Sequence, residues 1–274
     1  MKHKLLAALA IALFGCQTTP DEKSKLTLAT TTSTRDSGLL DLLVPRFEAA
    51  AGIQVKVVAV GSGQALQLGQ RGDADVLLTH SPAAEEQFMA EGHGELRRAV
   101  MHNDFVLVGP PAEASAAGGQ ESITAAFRRI AHRGAAFISR GDESGTHVKE
   151  RQIWQQAGIE PRGDWYIEAS AGMAAALRMA SEKRAYTLCD RGTFLAQRDR
   201  LDLVIICEGD LLLRNQYSVI IVAARRHPEV NRPAAQRWVD FLLSAETQAI
   251  IGEFGVDRFG QPLFFAQPRP RPQD

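Results

Sequence analysis

The 274-residue sequence has no excess of charge of either sign. Its 31 lysines and arginines stand against 32 aspartates and glutamates, which gives a formal net charge of -1. Nucleic-acid binding usually requires a strongly basic surface, so we expect no nucleic-acid partner. Any anion that the protein binds must therefore be held by a local site rather than by the charge of the whole molecule.

Cysteine is scarce as well. The three cysteines, Cys16, Cys189 and Cys207, show no Cys-x-x-Cys spacing, and the seven histidines are scattered along the chain. Structural zinc sites need such residues in close sequence clusters, so we expect no metal bound as a bare cation and no cofactor.

The sequence also has no apolar run long enough to span a bilayer, because the run at its start extends only from Leu5 to Phe14. That run follows a basic stretch and precedes Gly15-Cys16, the order of an export signal. The segment Leu13–Cys16 resembles the lipobox of bacterial lipoproteins, in which the cysteine becomes the lipidated first residue. An ordinary cleaved signal with an accidental cysteine is the alternative.

The lipobox interpretation predicts a lipoprotein signal peptide at residues 1–15, lipidation of Cys16 and a polar leash at residues 16–25. Such a protein lies in the periplasm or at the cell surface and contacts the membrane through its lipid anchor only. We expect it to be a monomer.

From residue 26 onward, short strand-like runs alternate with longer runs of helical periodicity, which predicts an α/β fold. Strand, helix, strand, helix, strand in succession predicts a parallel sheet with right-handed crossovers, and a second such series follows a loop rich in small residues. We expect lobe I to start at 26–108, lobe II to occupy 109–215, the chain to return to lobe I at 216–260, and a proline-rich tail to follow at 261–274.

Ligands of open α/β sheets bind where strands end and helices begin. The first such turn, Ala29–Thr34, contains five successive hydroxyl residues, more than helix capping alone explains. The second, Val60–Gln64, contains two glycines and Ser62. It fails the dinucleotide fingerprint and has no following Gly-Lys-Ser/Thr, which disfavours nucleotide binding.

The third turn, Ile138–His147, places Arg140 after a strand and Ser144-Gly145-Thr146 at the start of a helix. A guanidinium fork and helical N–H groups suit a tetrahedral oxyanion. The alternatives are a surface ion pair of Arg140 with Asp142 or Glu143, and a plain N-cap role for Ser144.

Ser144 and His147 also raise the alternative of a secreted serine hydrolase. However, the serine lies one place later than a Gly-x-Ser-x-Gly elbow requires, and His147 has no identified orienting acid, so an exposed helical histidine is expected. The first turn has no carboxylate before Asp36. A protonated phosphate benefits from such an acceptor, so a fully ionised dianion such as molybdate, tungstate or sulfate fits better.

Several ordered segments together resemble the tungstate-binding proteins of bacterial tungstate ABC transporters, from about Leu26 to Phe254. Cys189 departs from the threonine that this family pattern leads us to expect. The segments are Leu28–Thr34, Asp36–Leu40, Gly61–Leu66, Gly72–Leu77, Asn103–Gly109, Ser139–His147 and Tyr186–Thr193.

The resemblance implies a type II periplasmic-binding-protein fold, with two α/β lobes around a ligand crevice. It implies a receptor, not an enzyme, that captures tungstate and delivers it to an ABC permease driven by a cytoplasmic ATPase. A receptor for molybdate or another tetrahedral oxyanion is the alternative. The oxyanion-binding residues it implies are Thr31, Thr32, Ser33, Ser62, Arg140, Ser144, Gly145 and Thr146.

Once Cys16 is lipidated, Cys189 and Cys207 are the two remaining thiols. An exported protein meets an oxidising compartment, so we hypothesise a disulfide between them, with two separate buried thiols as the alternative.

Overall fold

A computed structural model describes residues 24–113, 121–142 and 144–267. The expected signal peptide, the lipidation site Cys16 and the leash up to residue 23 lie outside the described residues, as do residues 268–274 of the expected tail. Lys25, the last residue of the predicted leash range 16–25, is the first residue of a strand.

Strands and helices alternate along the chain, as the sequence predicts. The strands are β1 (Lys25–Thr31), β2 (Gln54–Val60), β3 (Val76–Thr79), β4 (Gly94–Gly109), β5 (Phe137–Ser139), β6 (Tyr166–Glu168), β7 (Thr187–Asp190), β8 (Val204–Cys207), β9 (Arg214–Val222) and β10 (Phe265–Ala266). The helices are α1 (Thr32–Asp36), α2 (Leu39–Ala51), α3 (Ser62–Arg71), α4 (Pro82–Ala90), α5 (Ile123–Arg133), α6 (Gly145–Gln156), α7 (Met173–Lys183), α8 (Arg191–Gln197), α9 (Arg232–Leu243), α10 (Ala245–Glu253) and α11 (Val256–Phe259).

The first lobe contains a mixed sheet in the order β10-β4-β9-β3-β1-β2. Strand β1 runs parallel to β2 and β3, as predicted. The sheet as a whole is mixed, because β9 runs antiparallel to both β3 and β4. The reason is the path of the chain. Strand β9 comes back from the second lobe, so it enters the first sheet running opposite to β3 and β4.

The long strand β4 belongs to both lobes. Its first part, up to Asp104, pairs with β9, and from Phe105 onward it pairs with β7 and β8 of the second lobe. The two α/β lobes are thus joined through a shared strand. Because β4 extends to Gly109 and β9 begins at Arg214, the expected limits at 108 and 216 fall beside these crossing strands, and the residue limits of the lobes stay predictions.

Each lobe has an aromatic cluster that fixes a helix on its sheet. In the first lobe Phe47 of α2 meets Trp238 of α9 edge to face, with ring centroids 4.9 Å apart. In the second lobe Phe127, Phe137 and Trp154 pack together, the closest pair of centroids being 4.3 Å apart. All five side chains are buried, so packed cores hold α2 against α9 in the first lobe and hold α5 and α6 against β5 in the second.

The hypothesis of a disulfide between Cys189 and Cys207 was wrong, because both are free and buried thiols. Cys189 pairs with Val106 and Cys207 with Leu107, on strands that flank β4 from opposite sides. Two strand spacings separate β7 from β8, about 9–10 Å. That is beyond the Cα separation that a disulfide bridges.

The expected tail begins later than residue 261. Phe264 is buried and Leu263 nearly so, and Phe265 pairs with His102 of β4. These apolar side chains extend the first lobe's core, which is why the chain stays packed as far as Gln267.

Candidate functional site

The starts of α1, α3 and α6 face one cleft of about 1870 Å³. These are the three turns that the sequence analysis singled out. The cleft wall brings together all eight predicted site residues: Thr31, Thr32, Ser33, Ser62, Arg140, Ser144, Gly145 and Thr146. Their role as ligand contacts stays a prediction.

The hydroxyl-rich segment after β1 forms a short helix instead of an open turn. Thr31 is its N-cap, and its Oγ1 accepts a hydrogen bond of 3.2 Å from the Thr34 N–H. The buried Thr30 donates to a carbonyl of β3 over 2.7 Å, so it holds two strands together. Thr32 and Ser33 are exposed and line the cleft. The run of hydroxyls therefore divides into structural and cleft-facing members.

His80 lies beside this segment, at the carboxyl end of β3. Its Nε2 is 3.2 Å from Thr31 Oγ1 and 3.2 Å from Ser33 Oγ. Its Nδ1 is 3.2 Å from Asn215 Oδ1, and its ring packs against Tyr217 with centroids 4.7 Å apart. The imidazole is thus fixed in position at the cleft wall.

The second turn presents the start of α3. Gly61 is the N-cap, and its N–H donates to Gln64 Oε1 over 3.3 Å. Ser62, the first residue of the helix, is partly buried and lines the cleft. Because α3 has ten residues, its N-terminal N–H groups and its dipole favour an anion at this wall.

Arg140 leaves the end of β5 and lines the cleft. Its Nη2 forms an ion pair with Asp142, whose Oδ1 accepts from the Ser144 N–H over 3.2 Å. The ion pair that the sequence analysis held as the alternative therefore exists, at the wall of the cleft. The intervening Gly141 has φ +60°, and a Cβ there would lie 2.9 Å from Glu168 Cβ, so the tight turn requires glycine.

Ser144 is the N-cap of α6, as the capping alternative proposed, and its Oγ accepts from the His147 N–H over 3.4 Å. The expectation of an exposed His147 was wrong, because only 5% of it is exposed. It lies three residues before Glu150 and seven before Trp154, on the helix face that packs into the second lobe. This spacing buries the imidazole.

Polar side chains tie β4 to β9 at the floor of the cleft. Asn215 donates through Nδ2 to Asn103 Oδ1 over 2.8 Å, and Asn103 donates through its own Nδ2 to the Tyr217 hydroxyl over 3.3 Å. Burial raises the pKa of Tyr217, so its phenol stays neutral. The network holds the floor where the two lobes join.

Arg191, in the last of the segments that carry the family resemblance, is structural. Its Nε and Nη2 bind the carboxylate of Asp104 over 2.8 and 2.5 Å, and Nη2 also binds Glu208 over 2.6 Å. The hydrogen bond with Asp104, though opposed by burial, raises the pKa of Arg191. The Arg191–Asp104 pair holds α8 against β4. The positive charge of Arg191 is therefore balanced by carboxylates of the protein itself.

The charges along the cleft are of both signs. Lys149 and Arg214 line it together with Arg140, and burial lowers the pKa of Lys149. Asp190 also lines it, but its Oδ1 accepts both the N–H and the hydroxyl of Thr193 over 2.8 Å each. Burial alone would raise the pKa of Asp142, but hydrogen bonds from Ser144 and the charge of Arg140 lower it.

Sequence reasoning missed His80, although a signal was present. A strand ends at Thr79, and Ser81-Pro82 then opens α4, with the serine at the N-cap position and the proline at the first helical position. That pattern marks a fourth strand-to-helix turn, and His80 is its central residue. Asn215 and Asn103 gave no comparable signal, because only the pairing of β4 with β9 brings them together.

The described parts of the chain contain no group of three or more histidines, cysteines, aspartates or glutamates placed to hold a metal ion. Within the same residues, no helix combines the length and apolar character needed to cross a membrane. The groups of the described cleft that can bind an anion are its hydroxyls, its backbone N–H groups and its basic side chains.

Comparison with known proteins agrees with this geometry. Residues 17–246 match the PBP superfamily domain. A tungstate-binding protein, TupA, of Peptoclostridium acidaminophilum is 48% identical over 93% of this chain and 93% of its own length. The solved tungstate-binding protein TupA of Desulfovibrio alaskensis G20 has TM-score 0.83 and 40% identity, covering 90% of this chain and 100% of that one. A solved tungstate ABC transporter protein of Geobacter sulfurreducens has TM-score 0.72 and 44% identity, covering 84% and 98%.

Proposed function

The chain belongs to the tungstate-binding proteins of the PBP superfamily, and on this premise we propose that it is the receptor that captures tungstate and delivers it to an ABC permease. The family consists of transport receptors, so this protein is a receptor and not an enzyme. Its ligand is an oxyanion, and no cofactor is needed for capture.

One observation carries the proposal: hydroxyl-rich and helix-opening turns from both lobes line the same cleft as Arg140. A dianion of tetrahedral shape needs hydrogen-bond donors on several sides and positive charge on at least one. The starts of α3 and α6 supply aligned N–H groups, and Arg140 supplies a permanent charge. Helix α1 is too short to contribute a dipole, so its hydroxyls are the donors at that wall.

We infer that the two lobes contribute separate halves of the ligand shell. Thr31, Thr32, Ser33 and Ser62 come from the first lobe. Arg140 and the segment Ser144–Thr146 come from the second. Closure of the lobes on the anion would complete the shell and create the surface that the permease recognises.

Arg140 enters this binding reaction already paired. Its Nη2 contacts Asp142, so an incoming anion competes with a carboxylate for the same guanidinium. A dianion carries twice the charge of a carboxylate and meets further donors at Ser144 and Gly145. We therefore expect the ligand to win this competition and the pair with Asp142 to loosen.

The remaining features of the proposal concern location and partners. We propose that Cys16 carries the lipid anchor, that the folded part lies in the periplasm or at the cell surface, and that the protein is a monomer. Its partners are a permease and that permease's cytoplasmic ATPase. Mass measurement of the mature protein tests the anchor, since lipidation adds acyl mass to an N-terminal Cys16.

Calorimetric titration of the ligand-free protein with tungstate, molybdate, sulfate and phosphate tests the ligand. About six charge-assisted bonds of roughly 1.5–3 kcal/mol each, less about 4 kcal/mol or more for association, leave a net gain of up to about 5–14 kcal/mol. The middle of that range corresponds to a Kd between micromolar and nanomolar, which is the affinity we expect for tungstate. Equal or tighter binding of molybdate would reassign the protein as a molybdate receptor. Millimolar binding of every oxyanion would refute the receptor.

A further inference from the structure

We propose that His80 is a ligand-binding residue of the cleft and that it holds the dianion as an imidazolium, so that each binding event takes up about one proton. This inference deepens the proposed function and rests on it. It adds a titratable group to a site that otherwise contains hydroxyls, backbone N–H groups and a guanidinium.

The position of His80 supports a direct contact with the ligand. It lines the cleft, and its Nε2 is 3.2 Å from both Thr31 Oγ1 and Ser33 Oγ, two of the proposed ligand contacts of the first lobe. On the opposite side, a Cβ built on Gly145 would lie 3.9 Å from His80 Cε1. The imidazole therefore lies close to proposed donor groups of both lobes, within reach of an anion that those groups would hold.

The surroundings of His80 define which ring nitrogen carries the hydrogen in the neutral form. Asn215 uses its Nδ2 to donate to Asn103, so its Oδ1 is the atom that faces His80. An amide oxygen only accepts, and so Nδ1 of His80 is the donor. The neutral ring then has a lone pair on Nε2, which is the nitrogen that faces the cleft hydroxyls.

This tautomer is poorly suited to an anion. An Nε2 lone pair accepts a hydrogen from the hydroxyl of Thr31 or Ser33 and draws that hydrogen away from the cleft. A lone pair also repels an oxyanion. Protonation of Nε2 reverses both effects, since the nitrogen becomes a charged donor and the hydroxyl that had donated to it is free to donate to the ligand.

The charge balance of the site favours the same conclusion. Arg140 is ion-paired with Asp142, so part of its charge is already offset when an anion arrives. An imidazolium at position 80 would add positive charge to that of the other basic side chains of the cleft wall, which are Lys149, Arg151, Arg214 and Arg258.

The groups that face His80 from every packed element set its proton affinity. Glu85 of α4 and Asp190 at the end of β7 favour the charged ring, Asn215 of β9 accepts from it, and the neighbouring phenol of Tyr217 stays neutral. Burial outweighs these effects and lowers the pKa of His80. A dianion at contact distance would raise this pKa, so the ring is neutral before binding and charged after it.

The test is proton uptake during tungstate binding, measured by titration calorimetry in buffers of different ionisation enthalpy between about pH 6.5 and pH 8.5. Tungstate itself is fully deprotonated in this range. We expect the wild-type protein to take up about one proton. Its affinity should then fall up to about tenfold per pH unit as the pH rises.

The matched variants are His80→Gln and His102→Gln. His102 is a suitable control because burial lowers its pKa too, as it does that of His80. His102 does not line the cleft; its ring stacks on Phe265 at the far edge of the sheet. Proton uptake should disappear in His80→Gln, whose affinity should become nearly independent of pH, and persist in His102→Gln.

Tungstate binding by the wild type without proton uptake would overturn the role of His80 and leave the receptor intact. Proton uptake that survives in His80→Gln would also overturn it. Absence of tungstate binding at every pH would instead refute the proposed function. If His80→Gln fails to fold, an absence of proton uptake by the wild type still overturns the role of His80.

Discussion

Replacing Arg140 and Asp142 singly and together is the most informative test of the cleft. Arg140→Ala removes a permanent charge and a forked donor from the wall and leaves the Asp142 carboxylate facing the ligand without its partner. Asp142→Asn removes the competing charge but keeps an oxygen that can accept from the Ser144 N–H. The two single changes should therefore act in opposite directions.

The magnitudes follow from the exposure of the pair. Loss of one partner of a desolvated, hydrogen-bonded charge pair costs about 2–5 kcal/mol, so Arg140→Ala should weaken tungstate binding by about 30-fold to several thousand-fold. The Arg140 and Asp142 side chains are 17% and 24% exposed, so solvent weakens their mutual attraction. Releasing Arg140 from that pair is worth at most about 1 kcal/mol, or about a fivefold gain in affinity for Asp142→Asn.

Titration calorimetry at fixed pH and low salt measures all three variants. The double variant should bind better than Arg140→Ala, because it no longer holds an unpaired carboxylate near the anion. Arg133→Ala is the matched control, since it breaks an ion pair of 3.2 Å with Glu113 on the exposed end of α5. Near-normal affinity in Arg140→Ala, equal to that of the control, would refute the reasoning and assign Arg140 to a surface ion pair.

Three further predictions use other residues. Ser144→Ala should weaken tungstate binding by about 1–3 kcal/mol and lower the free energy of unfolding by about 1 kcal/mol through loss of the α6 cap, whereas His147→Ala should change the affinity little. Calorimetry measures the change in affinity and urea unfolding the change in stability. An ester hydrolysis activity of the wild type that is lost in both variants would contradict this prediction. Cys189 and Cys207 should both react with an alkylating reagent only after unfolding without reductant, as mass spectrometry will show, because burial raises the pKa of each thiol; a single disulfide-linked species would be contrary. Burial raises the pKa of Glu150 to about 7, so the stability it contributes is present below its unfolded pKa of about 4.5 and is lost as the pH rises through about 7. Glu150→Gln should accordingly be more stable than wild type near pH 8, by up to about 3 kcal/mol in urea unfolding, and unchanged near pH 4; equal stability at both values would refute this account.

The local elements followed from residue periodicity. Leu39, Leu43 and Phe47 of α2 recur at helical spacing and are all buried, and β1 was predicted from its short apolar run. Packing against a core confirms such patterns because burial of one face is what creates them.

Sequence patterns failed to predict elements whose conformation depends on pairing with a strand that is distant along the chain. The first half of β4 contains Arg97 and Arg98 and has no apolar alternation typical of a strand. It is a strand because it pairs with β9, and its Arg97 binds the fully buried Glu85 of α4 over 2.8 Å. An ion pair such as Arg97–Glu85 forms only in the folded protein, so no pattern in the neighbouring sequence predicts it.

Local periodicity and capping rules suffice to predict the chemistry of the three turns, because their hydroxyls, glycines and Arg140 follow the ends of strands and open helices. How these turns meet depends on contacts between distant parts of the chain. The tertiary structure placed Arg140 against Asp142 and buried His147 on the inner face of α6. It also brought His80 beside Thr31. The reason is physical: capping depends on neighbours along the chain, whereas charge pairing and burial depend on groups that the fold brings together from far apart.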